Sequence, residues 1–318
     1  MSDLGYVLVL AGGLSYEREV SLRSGRRVSE VLRAAGISVE TRDTDASLVP
    51  SILADPPDAV FVTLHGGAGE DGAIRSVLEL LSVPYVGAGP DACRVAFDKP
   101  TAKTVIRSVG LRTPESVTLP KETFHDLGAA TVLSRIVERL GLPLFVKPSR
   151  GGSALGASIV RTAEDLPAAM VGCFAYGDTA LIERCIEGVE IAVSVVDLGE
   201  GPVALPAVEI VPDNGVYDYA ARYTAGHTEF FAPARLSPET AAACAEMAVT
   251  AHTALGLRDI SRTDLIVDTD GLPYFLEVNV APGMTETSLF PMAVEAAGDD
   301  LGTLCQVLLE QAVIRGTP

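Results

Sequence analysis

The run "YVLVLAGG" near the start of the chain ends on a glycine pair, and "SLRSGRRVSEVLRAAG" follows with the spacing of a helix closed by Gly36. Strand, glycine turn and helix in this order form the repeating unit of a parallel sheet. "SVETRD" and "AVFVTLHG" supply further strands, and "GAIRSVLELLS" a helix before "VPYVGAG". The alternation predicts a parallel α/β domain over residues 1–97.

The character then changes. "KPTAKTVIRSVG" reads as a helix and "LPLFVKPSRGGSALGASIV" as two strands joined by a glycine-rich loop, which predicts a small α+β domain over 98–187. Residues 188–318 hold strands at "EIAVSVVDL" and "VALPAVEIV", an irregular stretch at 213–235 and a helix at "SPETAAACAEMAVTAHTALG". Two last strands, "SRTDLIVD" and "PYFLEVNV", meet across a "TDG" turn. The chain carries no internal repeat or low-complexity tract.

Composition narrows the function classes. At 318 residues and 48% hydrophobic content, the chain can fill two or three cores. Its apolar runs fall short of the roughly 18 to 20 residues of a membrane span, and the N-terminus lacks the pattern of a secretory signal, so a cytoplasmic protein is expected. Five scattered cysteines show no metal spacing. A net charge of -18 disfavours a general nucleic-acid binder. Only 4 of the 24 basic residues are lysines, at 99, 103, 121 and 147, which makes the position of each informative.

Four stretches carry chemistry. In "KPSRGGSALG", main-chain N–H groups around Gly151, Gly152 and Gly156 can cradle phosphate oxygens while Lys147 adds a point charge, although a purely structural glycine hairpin fits the same letters. "AGGLSYEREVSL" does not complete the dinucleotide fingerprint, and Ser15, Glu17 and Glu19 could simply cap a helix. "LHGGAGEDG" puts His65, Glu70 and Asp71 on a tight loop after an apolar strand, where open α/β sheets bind ligands. In "FLEVNVAPGMTETSL", alternation turns Glu277 and Asn279 to one side of a strand. With Asp264 and Arg262 on the neighbouring strand, they form either an oxygen cluster for a nucleotide-bound magnesium ion or a surface salt-bridge ladder.

Taken in order, "AGGLSYEREVSLRSG", "LHGGAGEDGAI", "PYVGAGPDACRVAFDKPTAK", "FVKPSRGGSALG", "LIERCIEGVEIAV", "YDYAARY", "SRTDLIVD" and "LEVNVAPGMTETSL" closely resemble the D-alanine–D-alanine ligases of the ATP-grasp superfamily, over nearly the whole chain. The resemblance implies a three-domain ATP-grasp fold, with ATP between the central and C-terminal domains. It implies ligation of two D-alanines through an acyl phosphate, with ADP and phosphate released, for peptidoglycan synthesis. By match to the family's motifs, Asp264, Glu277 and Asn279 hold two magnesium ions, with manganese able to stand in. Lys99, Lys147, Ser153 and Arg222 meet phosphate; Glu183 meets adenine and Glu190 ribose, and Cys185 and Ile186 bind the same nucleotide. Glu17, Ser153 and Tyr223 form a hydrogen-bonded triad, with Glu17 on the ammonium of the first D-alanine. His65 belongs to the first subsite, Ser288 and Leu289 to the second, and Arg262 with the Gly283 N–H to the oxyanion. Residues 213–235 resemble the family's lid, and a homodimer is expected.

The chain also departs from the family pattern. Arg222 stands where lysine is usual before the lid tyrosine, and Ala154 where a second serine is common. "NVAPGMT" replaces "NTSPGMT", and "SRTDL" replaces a glycine-containing form. Two rival readings are an ATP-grasp ligase for other amino acids and a catalytically silent nucleotide-binding protein.

Overall fold

The computed structural model describes residues 4–213 and 226–317, and its strands fall into three sheets. The first is parallel, in the order β2-β1-β3-β4, from β1 (Tyr6–Leu10), β2 (Ser38–Arg42), β3 (Ala59–Val62) and β4 (Tyr85–Val86). Alternation along β1 sends Val7 and Val9 into one core and Leu8 and Leu10 into another, as expected of a sheet covered on both faces. The loops after β1 and β3, which carry Glu17 and His65, leave the sheet at its carboxyl end.

The second sheet is antiparallel, in the order β5-β8-β6-β7, from β5 (Ser116–Pro120), β6 (Leu144–Pro148), β7 (Ser158–Val160) and β8 (Thr179–Arg184). Leu144, Val146, Ala180 and Ile182 pack one face against the helices Ala129–Leu140 and Leu166–Phe174. The alternate residues Phe145, Lys147 and Glu183 line a cavity instead.

The third sheet comprises β9 (Gly188–Asp197), β10 (Pro202–Ala204), β11 (Val208–Pro212), β12 (Thr228–Phe231), β13 (Ile260–Asp268) and β14 (Pro273–Asn279), with main order β12-β11-β9-β13-β14. Two details differ from the sequence reading. The run "VALPAVEIV" splits into β10 and β11 around Pro206, which has no N–H for a ladder. Within the stretch expected to be irregular, Thr228–Phe231 is a strand paired with β11.

The cores run across long sequence separations. The helix Leu301–Arg315 buries Leu304, Leu308 and Ala312 in one cluster with Val28 and Leu32 of the helix Arg18–Ala34. Ala102 and Ile106, from the helix Lys99–Ser108, share a core with Val193, Leu265 and Phe275 of the third sheet. Arg315 also grips the buried Asp259 at 2.7 Å, and Asp259 accepts the Gly87 N–H at 2.7 Å, which ties the end of the first sheet to the start of β13. No described helix is long and apolar enough to cross a membrane.

Candidate active site

The face of the second sheet left bare by its helices and the near face of the third enclose a cavity of about 560 Å³. Lys99, Lys147, Glu183, Cys185, Ile186, Glu190, Asp264 and Glu277 all line it, so residues expected to meet ATP or metal gather here from six separate helices and strands and the loop after β8. The loop between β6 and β7 forms one wall. Ser153 and Ala154 there hold left-handed φ values of +54° and +55°, a conformation that non-glycine residues adopt only where the surroundings impose it. The Lys99 ammonium donates to the Gly151 carbonyl at 2.6 Å, fastening the loop to the start of the Lys99–Ser108 helix.

Glu183 sits in the cavity wall with its side chain 2% exposed, one oxygen at 2.6 Å from Lys147 and the other against Lys103. Burial alone would raise its pKa; the two ammonium groups outweigh that and hold the carboxyl below its ordinary range. Lys147 moves the other way: burial opposes its charge, and the surrounding carboxylates, Glu183 foremost, raise it.

On β13 and β14, Arg262 lies opposite Asn279 and Asp264 opposite Glu277. All four therefore share a face, as the alternation required. A bulge after Asp264 places Leu276 as the extra residue, and both Leu276 and Glu277 line the cavity. Arg262 grips Asp264 in a fork, at 2.7 and 2.8 Å. Their side chains are 10% and 15% exposed, which excludes a surface ladder.

No cluster of three His, Cys, Asp or Glu exists among the described residues. A nucleotide-bound magnesium ion does not need one, because one or two carboxylates complete a shell otherwise made of water and phosphate. Asp264 and Glu277 offer that donor set on the cavity wall, and their oxygens retain lone pairs beyond those used by Arg262. The residues fit the ion.

A second cavity, about 120 Å³, adjoins the first and shares Lys99, Gly151, Gly152 and Glu277 with it. Glu17, His65, Ser153, Arg262, Asn279, Gly283, Ser288 and Leu289 line it. Glu17 occupies the N-cap position of the Arg18–Ala34 helix but makes no side-chain cap bond; its carboxylate instead accepts from the Ser153 hydroxyl, 136 residues away. Gly66 makes room for it: a Cβ there would lie 2.5 Å from a Glu17 oxygen, and the residue's φ of +65° favours glycine. Ser288 starts the Leu289–Ala296 helix, and its hydroxyl accepts the Thr285 N–H at 3.0 Å. A side chain on Gly283 would strike that hydroxyl at 2.7 Å.

His65 is 5% exposed and 3.1 Å from the Ser24 hydroxyl. Burial lowers its pKa to about 4, with the Arg262 charge adding to the shift and a bond to the Ala281 backbone opposing it, so the ring is a neutral hydrogen-bonding wall. Glu70, also buried, accepts the Gly66 N–H at 2.9 Å. Burial first, then the nearby Glu17 charge, pushes its pKa up to about 7.

That shift has a stability consequence. The folded state holds the Glu70 proton more tightly than the unfolded chain, so its stabilising contribution is complete below pH 4.5 and is lost as pH rises to about 7. Glu70→Gln is expected to flatten the loss of denaturation midpoint over that window. An unchanged slope in urea melts across the same pH range would refute it.

Two buried charged residues beside the cavities had no assigned role in the sequence. Glu70 was visible only as part of a loop motif, and Lys103 only as one of few lysines; its spacing of four from Lys99 on a helix was the available signal. Arg222 and Tyr223, with most of the expected lid, lie outside the described residues.

Comparison with known proteins identifies the family. Residues 105–310 match the family described as D-ala D-ala ligase C-terminus, and 38–88 the family described as D-ala D-ala ligase N-terminus. The D-alanine–D-alanine ligase of Pelotomaculum thermopropionicum is 41% identical over 305 residues, covering 96% of both chains. That of Bordetella petrii is 40% identical over 312 residues, covering 98% of this chain and 93% of the relative. Among solved structures, D-alanine–D-alanine ligase from Bacillus anthracis superposes with a TM-score of 0.83 at 29% identity, covering 98% of each chain. The VanG D-Ala:D-Ser ligase from Enterococcus faecalis gives the same TM-score of 0.83 at 27% identity, covering 98% of this chain and 100% of that one. The fold is that of the ATP-grasp ligases, and the chain belongs to the D-alanine–D-alanine ligase family.

Proposed function

We propose that this protein joins two D-alanines into D-alanyl-D-alanine, using ATP through an acyl phosphate and releasing ADP and phosphate, for peptidoglycan precursor synthesis. The observation that carries the reading is the junction of the two cavities at Lys99, Gly151, Gly152 and Glu277. A nucleotide in the large cavity would present its terminal phosphate at that junction, where a small substrate's carboxylate can reach it.

Each residue then has a task. Cys185 and Ile186 border adenine, Glu190 the ribose, and Glu183 keeps a lone pair for the adenine amine while holding Lys147. Lys99, Lys147 and the loop at Ser153 offset the negative charge gathered when carboxylate attacks the γ-phosphate. Asp264, Glu277 and Asn279 would hold magnesium, which supplies Lewis-acid neutralisation of the phosphate oxygens when bound. Glu17 takes the ammonium of the first D-alanine beside the neutral His65. Ser288 and Leu289, at a helix start, suit the carboxylate of the second. Its amine then attacks the acyl carbonyl, phosphate leaves, and the Arg262 guanidinium with the Gly283 N–H stabilises the oxyanion.

By family resemblance, Arg222 and Tyr223, which lie outside the described residues, belong to a lid whose task is to keep water from an acyl phosphate. The three domains at 1–97, 98–187 and 188–318, a cytoplasmic location, a homodimer and tolerance of manganese belong to the same proposal. The relatives at 41% and 40% identity over nearly the whole chain are D-alanine–D-alanine ligases, which supports alanine as the second substrate.

The test is phosphate release with ATP and magnesium over a panel of D-alanine, L-alanine and D-serine, with mass detection of products. D-alanyl-D-alanine formed from the D-isomer is expected. A product from another pair alone, or ATP binding with no turnover, would overturn the proposal.

A further inference from the structure

The Lys99–Ser108 helix carries a lysine that faces neither cavity. Lys103 has a side-chain exposure of 0% and reaches Glu183 from behind the cavity wall, donating also to the Thr113 hydroxyl at 2.8 Å. Lys147, on the opposite side of the same carboxylate, lines the cavity and is 10% exposed. The buried carboxylate thus divides its two oxygens between a hidden cation and a cavity-facing one.

A carboxylate buried like Glu183 needs a cation at all times, since water cannot replace one. If Lys147 were its sole partner, turning that ammonium toward a phosphate would strand Glu183. With Lys103 in place the carboxylate stays compensated whichever way Lys147 points. Lys103 itself shows the strain of this position, since burial, against the pull of Glu183, lowers its pKa to about 8.

Resting on the nucleotide reading above, we infer that Lys103 is a positioning residue of the ATP site: it is the standing counter-ion of Glu183 that leaves Lys147 free to bind phosphate. Its effect is therefore on the phosphates, through Lys147, and not on the base or the sugar. A buried ion pair that served only the fold would show no such preference for one part of the ligand.

The full-length protein and its variants, with magnesium and without amino acid, would be titrated calorimetrically with adenosine and with ATP. Lys103→Met is expected to weaken ATP roughly 10- to 100-fold while adenosine changes by less than about 3-fold. With Glu183→Gln in the background, so that no carboxylate is stranded, Lys103→Met added to Lys147→Met should bind ATP no worse than Lys147→Met, because both lysines act through one ammonium. Lys103→Met with Glu183→Gln should regain most of the lost affinity, since no carboxylate is left stranded.

Equal losses for adenosine and ATP, additive losses of the two lysine changes in the Glu183→Gln background, or wild-type ATP affinity in Lys103→Met would each overturn the inference. If circular dichroism shows that Lys103→Met does not fold, the pair Lys103→Met/Glu183→Gln against Glu183→Gln decides. Matching ATP affinities support the inference, and a further loss of about 10-fold overturns it. A wild-type protein that binds no ATP would instead refute the nucleotide reading on which this rests.

Discussion

Glu277→Gln is expected to lower kcat by about a thousandfold while the protein stays folded. Its carboxylate stands opposite Asp264 on the cavity wall and 3.5 Å from Lys99, at the junction of the two cavities. The amide keeps the size and one oxygen but removes the charge that a metal and the developing phosphate require. Metal neutralisation contributes several kcal/mol to such transition states, and about 1.4 kcal/mol is a factor of ten. The side chain is 27% exposed, so water can satisfy the new amide and the melting temperature should fall by no more than a few degrees. Steady-state kinetics beside a thermal melt would check this, and turnover near the wild-type rate would remove Glu277 from the assigned role.

Arg262→Met is expected to lose about 100- to 1,000-fold in kcat, the range found when one oxyanion donor is removed. Stability should fall as well. Asp264 loses both bonds of the fork, at 2.7 and 2.8 Å, in a place where its side chain is only 15% exposed, and breaking such a pair costs about 3 kcal/mol. Arg262→Lys separates the two effects. Its ammonium can hold one Asp264 oxygen and recover part of the stability, but it lacks the planar fork and should recover little of the rate. A lysine variant with full activity would show that charge alone suffices at this position.

The parts of this site that follow from local pattern were readable in the letters. Strict alternation on two strands across a short turn already put Arg262, Asp264, Glu277 and Asn279 on one face, and the pairing of β13 with β14 bears this out. The glycine-flanked strand ends near Glu17 and His65 likewise marked the carboxyl edge of the first sheet. Features that depend on distant partners were not readable. The bulge that turns both Leu276 and Glu277 toward the cavity leaves no mark in composition. Nothing local says that Leu304 and Leu308 share a core with Val28 and Leu32. Glu17 reads locally as a helix cap, and only the approach of Ser153 across 136 residues turns it into a site residue. Lys103 is the same case: its role requires β8 to lie against the Lys99–Ser108 helix, a packing that hydrophobic periodicity does not specify.

The central claim is that a carboxylate in the small cavity attacks a phosphate presented from the large one. D-alanine carrying a heavy-oxygen label in its carboxylate, turned over with unlabelled ATP and magnesium, tests it directly by mass analysis of the released phosphate. One carboxylate oxygen bonds to the γ-phosphorus, ADP leaves, and the amine of the second D-alanine later expels phosphate with that oxygen attached. The account predicts one labelled oxygen in each phosphate released and one retained in the peptide carbonyl. Unlabelled phosphate accompanying labelled D-alanyl-D-alanine would contradict it.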